Sequence, residues 1–367
     1  MTLMALALIL MLSEAALTLS LAAMVLAAVL LDRKFNMAYL GIFVIAGLSV
    51  VGWRLVIDPG VIWADRASFP QFFAAYGGTV GLLVASWAVI RRDRIKTFAV
   101  LDGAMWTISA TFASLLIYRL IDAYAPLHYK SHAAFGLYAL VWLMSAANQL
   151  WRLRTPGIRR WIRITLATVY GLFGLLLLVL VATILNPLLE LAEPAFGPYV
   201  LDSLFVAYTL PGLLFLAVAI RFDHLHRWLR YAFAGIGGLL IALYVGLEIR
   251  RFWRGDNLTV AGTTDAELYS YTVAMLLVAT AVLFYAFWTH SKWLRKLALI
   301  GIGLTVAKVF LIDISGLTGL TRVFSFLVLG LTLAGLAWLD RWFGARDAGA
   351  QNPHQGPGNS PAGPQDG

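Results

Sequence analysis

The chain has no cysteine, which excludes disulfides, thiol nucleophiles, iron–sulfur clusters and thiolate metal sites. Charge is scarce as well, with only 13% Asp, Glu, Lys and Arg. No Walker A, GxSxG, HExxH or dinucleotide fingerprint occurs, so neither an ATP-driven pump nor a familiar hydrolase has support. His128 and His132 have helical i to i+4 spacing, but without a nearby third ligand they make a poor zinc site. No metal and no cofactor is expected, and enzymatic activity has no residue pattern behind it.

What the chain has in abundance is apolar length. A chain of 367 residues that is 61% hydrophobic cannot distribute that surface around one soluble core, so it uses lipid as solvent. The formal charge of +9 sits in short basic clusters between apolar stretches. That pattern reads as membrane topology and not as a nucleic-acid surface.

Apolar runs predict an all-α integral membrane protein with eleven helices. They lie near residues 3–31, 37–57, 71–90, 97–117, 133–151, 161–185, 200–220, 231–249, 267–288, 294–313 and 322–340. After Trp342 the composition turns to Gly, Pro, Asn, Gln and Asp, which reads as a disordered tail over 344–367. The transmembrane domain is thus expected over 1–343.

Five short stamps punctuate the apolar runs: Val56-Ile57-Asp58, Leu120-Ile121-Asp122, Ile184-Leu185-Asn186, Glu248-Ile249-Arg250 and Leu311-Ile312-Asp313. Their third members are 64, 64, 64 and 63 residues apart. Each interval holds two spans of about 20 residues with their turns. The expectation is five parallel-repeated hairpins of about 64 residues and a final helix. Helix-ending chemistry alone, as in Asp58-Pro59 and Asn186-Pro187, is the plainer source of such stamps.

Topology follows from the basic residues. Arg54, Arg66, Arg119, Lys130, Arg250, Arg251, Arg254, Lys308 and Arg322 fall on or near the stamped side, leaving nineteen of the 28 for the other. The positive-inside rule then puts the N-terminus out, the C-terminus in and the stamps outside, in a bacterial-type cytoplasmic membrane. Trp151, Trp161, Trp228, Trp288 and Trp338 stand at expected inner helix ends, where interfacial aromatics belong.

The run from Glu248 to Trp342 carries EIRRFWRGDNL, then DAELYSYTVAMLL, then KVFLIDISGLTGLTRVFSFLVLGLTLAGLAWL. In order and spacing it resembles the predicted membrane proteins of the DUF2339 family. Members are commonly longer, so the resemblance implies a short form or a C-terminal portion. It implies no assigned activity.

Several polar residues are candidates for function. Glu14, roughly mid-helix in the first segment, is the deepest carboxylate, and a charge there needs a partner, a proton or a cavity. Lys308 lies about five residues from its helix end, where it either anchors at the interface or awaits an anion. Asp313 is on another face of that helix, so Lys308 is expected to pair with a different helix. Glu248 with Arg250, Arg251 and Arg254 forms an outer rim able to fork onto oxyanions. Asp58, Asp122 and Asn186 extend that rim, while Asp313 and Arg322 are expected to pair across the last turn.

Two functions fit these residues. One is an outer-face binding or envelope-assembly platform that meets membrane lipids and an anionic lipid or glycan. The other is a transporter or lipid conduit using Glu14 and Lys308. Concentration of the stamps on one face favours the platform, and protein partners are not specified by the sequence.

Overall fold

The computed structural model describes residues 14–309 apart from 59, 154–157, 191–193 and 291, together with 311, 327, 330–331, 334–335 and 338. Among these, every regular element is helical. Two compact units divide the chain, Met1–Val260 and Ala261–Gly367.

The first unit begins with α1 (Glu14–Phe35), α2 (Leu40–Val56), the short α3 (Gly60–Arg66), α4 (Phe69–Val89) and α5 (Ile95–Tyr124). It continues with α6 (His132–Trp151), α7 (Ile158–Ala182), α8 (Phe205–Arg221) and α9 (Arg227–Arg254). The second unit has α10 (Asp265–Trp288) and α11 (Lys292–Lys308). The first ten expected segments each coincide with a described helix, whereas most of 322–340 and the tail lie outside the described residues.

Among the described residues, seven helices are long and apolar enough to cross a membrane, and the bent pair α2 and α3 makes an eighth if it is one span. The count falls short of eleven because most of 322–340 lies outside the described residues and because α2, α8 and α11 have 17 residues each. At a rise of about 1.5 Å per residue they reach roughly 25 Å, less than a hydrocarbon core of about 30 Å.

Two apolar cores fill the first unit, one for each set of four long helices. Val25, Leu48, Val51, Leu83 and Leu101 belong to the core of α1, α2, α4 and α5. Leu143, Leu178, Tyr208, Leu240 and Leu247 belong to that of α6 to α9. Small residues set the closest approaches. A Cβ on Gly136 would lie 2.6 Å from the Ala207 Cα, and one on Gly237 would lie 2.7 Å from the Gly212 carbonyl oxygen. Away from the cores, large side chains such as Leu172 and Leu176 on α7 are each 63% exposed, a face suited to lipid rather than water.

Within the first unit, π geometry interrupts the helices at two equivalent places. A π turn follows the first turn of α4 at Phe73–Gly77, and another opens α8 at Phe205–Thr209. Pro211, just after the second, lacks an N–H and crowds the carbonyl four residues back, at Ala207 within the wider turn. Each turn buries a tyrosine, Tyr76 and Tyr208.

Candidate functional site

Contacts sort the loops of the first unit into two ends. At one end Arg94 forks onto Asp32 at 3.1 and 3.2 Å and also reaches Asn36. At that same end Arg152 holds both oxygens of buried Asp102 at 2.9 and 3.0 Å, while Trp87 donates to Asp102 at 2.8 Å. Arg163 donates to the Arg152 carbonyl, and His224 Nε2 lies 2.9 Å from the Leu150 carbonyl. These contacts tie α1, α4, α5, α6 and α7 together at the end assigned by sequence to the cytoplasm.

At the opposite end, Tyr76 donates to the Leu55 carbonyl at 2.6 Å and Tyr208 to the Val181 carbonyl at 3.0 Å. Chemistry explains the first of these bonds. Leu55 would normally receive an N–H from residue 59, which is proline, so its carbonyl is an orphan that the tyrosine satisfies. The rings of His128 and His132 lie 4.1 and 5.8 Å from that of Phe196, placing the loop before α6 against the loop before α8.

The densest polar cluster surrounds Arg251, which is 3% exposed. Its Nη1 meets Asp202 at 2.8 Å, its Nε and Nη2 meet Asp256 at 2.9 and 2.8 Å, and Nη2 also donates to the Gly197 carbonyl at 2.7 Å. The guanidinium lies 4.9 Å from the Tyr199 ring. Glu248 accepts from the Val200 N–H at 2.9 Å, and Tyr244 donates to the Val200 carbonyl at 2.8 Å. Val200 needs that clamp, since its φ of 74° is a strained left-handed conformation for a β-branched residue. Ser203 and Asp202 accept from the N–H groups of Phe196 and Phe205.

This cluster satisfies irregular backbone where α8 is too short to do so by itself. Non-helical chain at membrane depth is tolerated only when protein partners take up its N–H and C=O groups. The rim expected from sequence is thus largely committed inside the protein. Arg250 also donates to carbonyls, at 2.7 Å to Leu258 and 2.6 Å to Val260, fixing the loop after α9. Arg254 is half-buried at the same helix end.

The other sequence candidates fall in several places. Asp58 and Asp122 are exposed, and Asn186 is buried, closing α7 through bonds to the Ala182 carbonyl and the Leu188 N–H. Glu14 is the first described residue of α1 and is exposed, and the residues before it, on which its mid-helix placement depends, lie outside the described residues. One turn on, Thr18 accepts from Arg54, near the end of α2, which sets this part of α1 at the stamped end. Asp313 and Arg322 lie outside the described residues.

In the second unit, Lys308 pairs with the neighbouring helix. Its Nζ donates to the Leu268 carbonyl at 3.1 Å and to Thr272 Oγ1 at 2.5 Å. Fully buried Glu267 stands at the same helix start and accepts from the Tyr271 hydroxyl at 3.1 Å. Sequence reasoning missed Glu267 as well as Asp102 and Asp202. Among the described residues, no three His, Cys, Asp or Glu side chains gather as metal ligands.

Apolar helices with outward-facing aliphatic side chains, and polar groups gathered at helix ends to complete the backbone bonding, define a multi-pass helical membrane protein. Residues 1–343 match the family described as "Predicted membrane protein (DUF2339)", and the chain belongs to that family. No curated protein and no solved structure matches it.

Proposed function

We propose that the protein is a binding or assembly platform on the outer face of a bacterial-type inner membrane, with the N-terminus out and the C-terminus in. On this reading the spans form five parallel hairpins of about 64 residues and a final helix, so that every stamped loop faces outward. The platform would hold a ligand carrying an anionic group, a lipid headgroup or a glycan.

One observation carries the reading: the polar side chains at the stamped end hold loops in fixed, partly strained conformations instead of lining a route through the bilayer. Arg251 and Glu248 clamp the loop before α8, while Arg250 clamps the loop after α9. Rigid loops on a packed scaffold suit recognition.

Transport or lipid conduction is the second reading, and the Lys308, Thr272, Tyr271 and Glu267 cluster favours it, since buried ionisable groups in membrane helices mark ion and substrate routes. Native mass spectrometry of the full chain separates the two. The platform reading expects a retained anionic lipid or glycan and no solute flux in proteoliposomes. Flux that is lost in Lys308→Met would overturn it.

A further inference from the structure

Arg119 and Arg251 are 132 residues apart, as are Tyr76 and Tyr208. Both arginines stand near the C-terminal ends of their helices, α5 and α9, and both donate to a carbonyl in the segment preceding a π-turned helix, in the short α3 for Arg119 and in a loop for Arg251. Arg119 Nη1 reaches Ala64 at 2.9 Å, and Arg251 Nη2 reaches Gly197 at 2.7 Å. Both also stack on aromatic rings: Arg119 lies 5.1 and 5.2 Å from Phe69 and Phe72, and Arg251 4.9 Å from Tyr199.

They differ in their counter-charge. Arg251 directs its remaining N–H groups at Asp202 and Asp256. The positions 132 residues earlier are Pro70 and Tyr124, neither a carboxylate. Among the described residues no carboxylate comes within ion-pair distance of Arg119. Asp65, next in sequence to Ala64, and Asp122, one turn on from Arg119, are both exposed. A guanidinium offers five donors in a fixed fork. With one donor committed to Ala64 and two phenylalanine rings beside it, the half-buried cation has an edge matched to an oxyanion.

We propose that Arg119 binds a phosphate oxyanion in the position that Asp202 occupies beside Arg251. This rests on the outer-face reading and names the ligand chemistry and the residue. Asp202 thus serves as an internal copy of the ligand, and the two four-helix sets differ in being self-satisfied and ligand-taking.

The test uses the full chain in nanodiscs of zwitterionic lipid, with anionic phosphatidylglycerol added in one arm and inorganic phosphate in the other. Affinity is measured for the wild type, Arg119→Gln, Arg119→Lys and Pro70→Asp. The wild type should bind, and whichever arm does so identifies a lipid headgroup or free phosphate as the source. Arg119→Gln should weaken binding roughly tenfold or more, and Arg119→Lys by less, since it keeps the charge and loses the fork. Pro70→Asp keeps the arginine and supplies a carboxylate, so it should abolish binding without loss of thermal stability, which guards against misfolding of the glutamine variant. If wild type and all variants bind equally, the Arg119 site is wrong while the platform stands. If the wild type binds neither phosphate source, the site is overturned, and only retention of another anionic ligand keeps the platform.

Discussion

Tyr76 and Tyr208 occupy the fourth position of two π turns 132 residues apart, and each donates its hydroxyl to a carbonyl near the end of a preceding helix, Leu55 and Val181. Both rings are almost fully buried, at 1% and 0% exposure. The bonds lock α4 against α2 and α8 against α7 at the stamped end, beside the arginines that hold the loops.

Removing the hydroxyl should therefore expose a structural debt at each place. Tyr76→Phe leaves the Leu55 carbonyl without a partner, and a loss of about 1–3 kcal/mol is expected from an unpaired buried acceptor. Tyr208→Phe should cost a similar amount, and the two losses should add because the sites share no partner. Thermal unfolding in detergent measures this, and coupling between the two would show that the turns are not independent.

Arg251→Ala should be far more damaging than Arg119→Ala. The first strands Asp202, whose side chain is 0% exposed, and breaking a buried pair costs about 3–5 kcal/mol. The second leaves no buried carboxylate behind. Asp202→Asn in the Arg251→Ala background should recover part of the loss. Equal destabilisation by both alanine variants would contradict the difference drawn between the two arginines.

Close helix crossings give a backbone prediction. Gly136→Ala drives a methyl to 2.6 Å from the Ala207 Cα, and this neighbour is main chain that cannot rotate away. A loss of about 1–3 kcal/mol is expected from overpacking. Gly235→Ala, where nothing lies within 4 Å, is the control and should be neutral or slightly stabilising.

Lys308 and Thr272 should behave as one unit. In a double-mutant cycle with Lys308→Met and Thr272→Val, an interaction term of about 0.5–3 kcal/mol is expected. Strict additivity would mean that the ammonium does not depend on the hydroxyl.

Much of the fold is legible in sequence because lipid imposes it: apolar runs of span length have to be helices. Hydropathy marks an apolar run but not which residues of a long one form the span. The stamps locate helix ends, yet the recurring contacts pair residues two hairpins apart. A signal for that existed in Phe73-Ala74-Ala75-Tyr76 and Phe205-Val206-Ala207-Tyr208. Asp202 reads in sequence as an ordinary helix cap, which it also is, accepting from Phe205 N–H. Its ion pair with Arg251 spans 49 residues, a separation that no local pattern reveals. Arg250 and Arg251 read alike, and only the loop path decides that Arg251 holds two carboxylates and the Gly197 carbonyl while Arg250 reaches the Leu258 and Val260 carbonyls.

The outer-face account stands most directly on sidedness, and the absence of native cysteine makes single-cysteine labelling clean. Asp65 and Asn257 are exposed at the stamped end, and Asp93 and Asp223 are exposed at the other. An impermeant thiol reagent applied to intact cells should label cysteines at Asp65 and Asn257 and spare those at Asp93 and Asp223 until the membrane is opened. Labelling of the Asp93 and Asp223 variants in intact cells, with Asp65 and Asn257 protected, would contradict it.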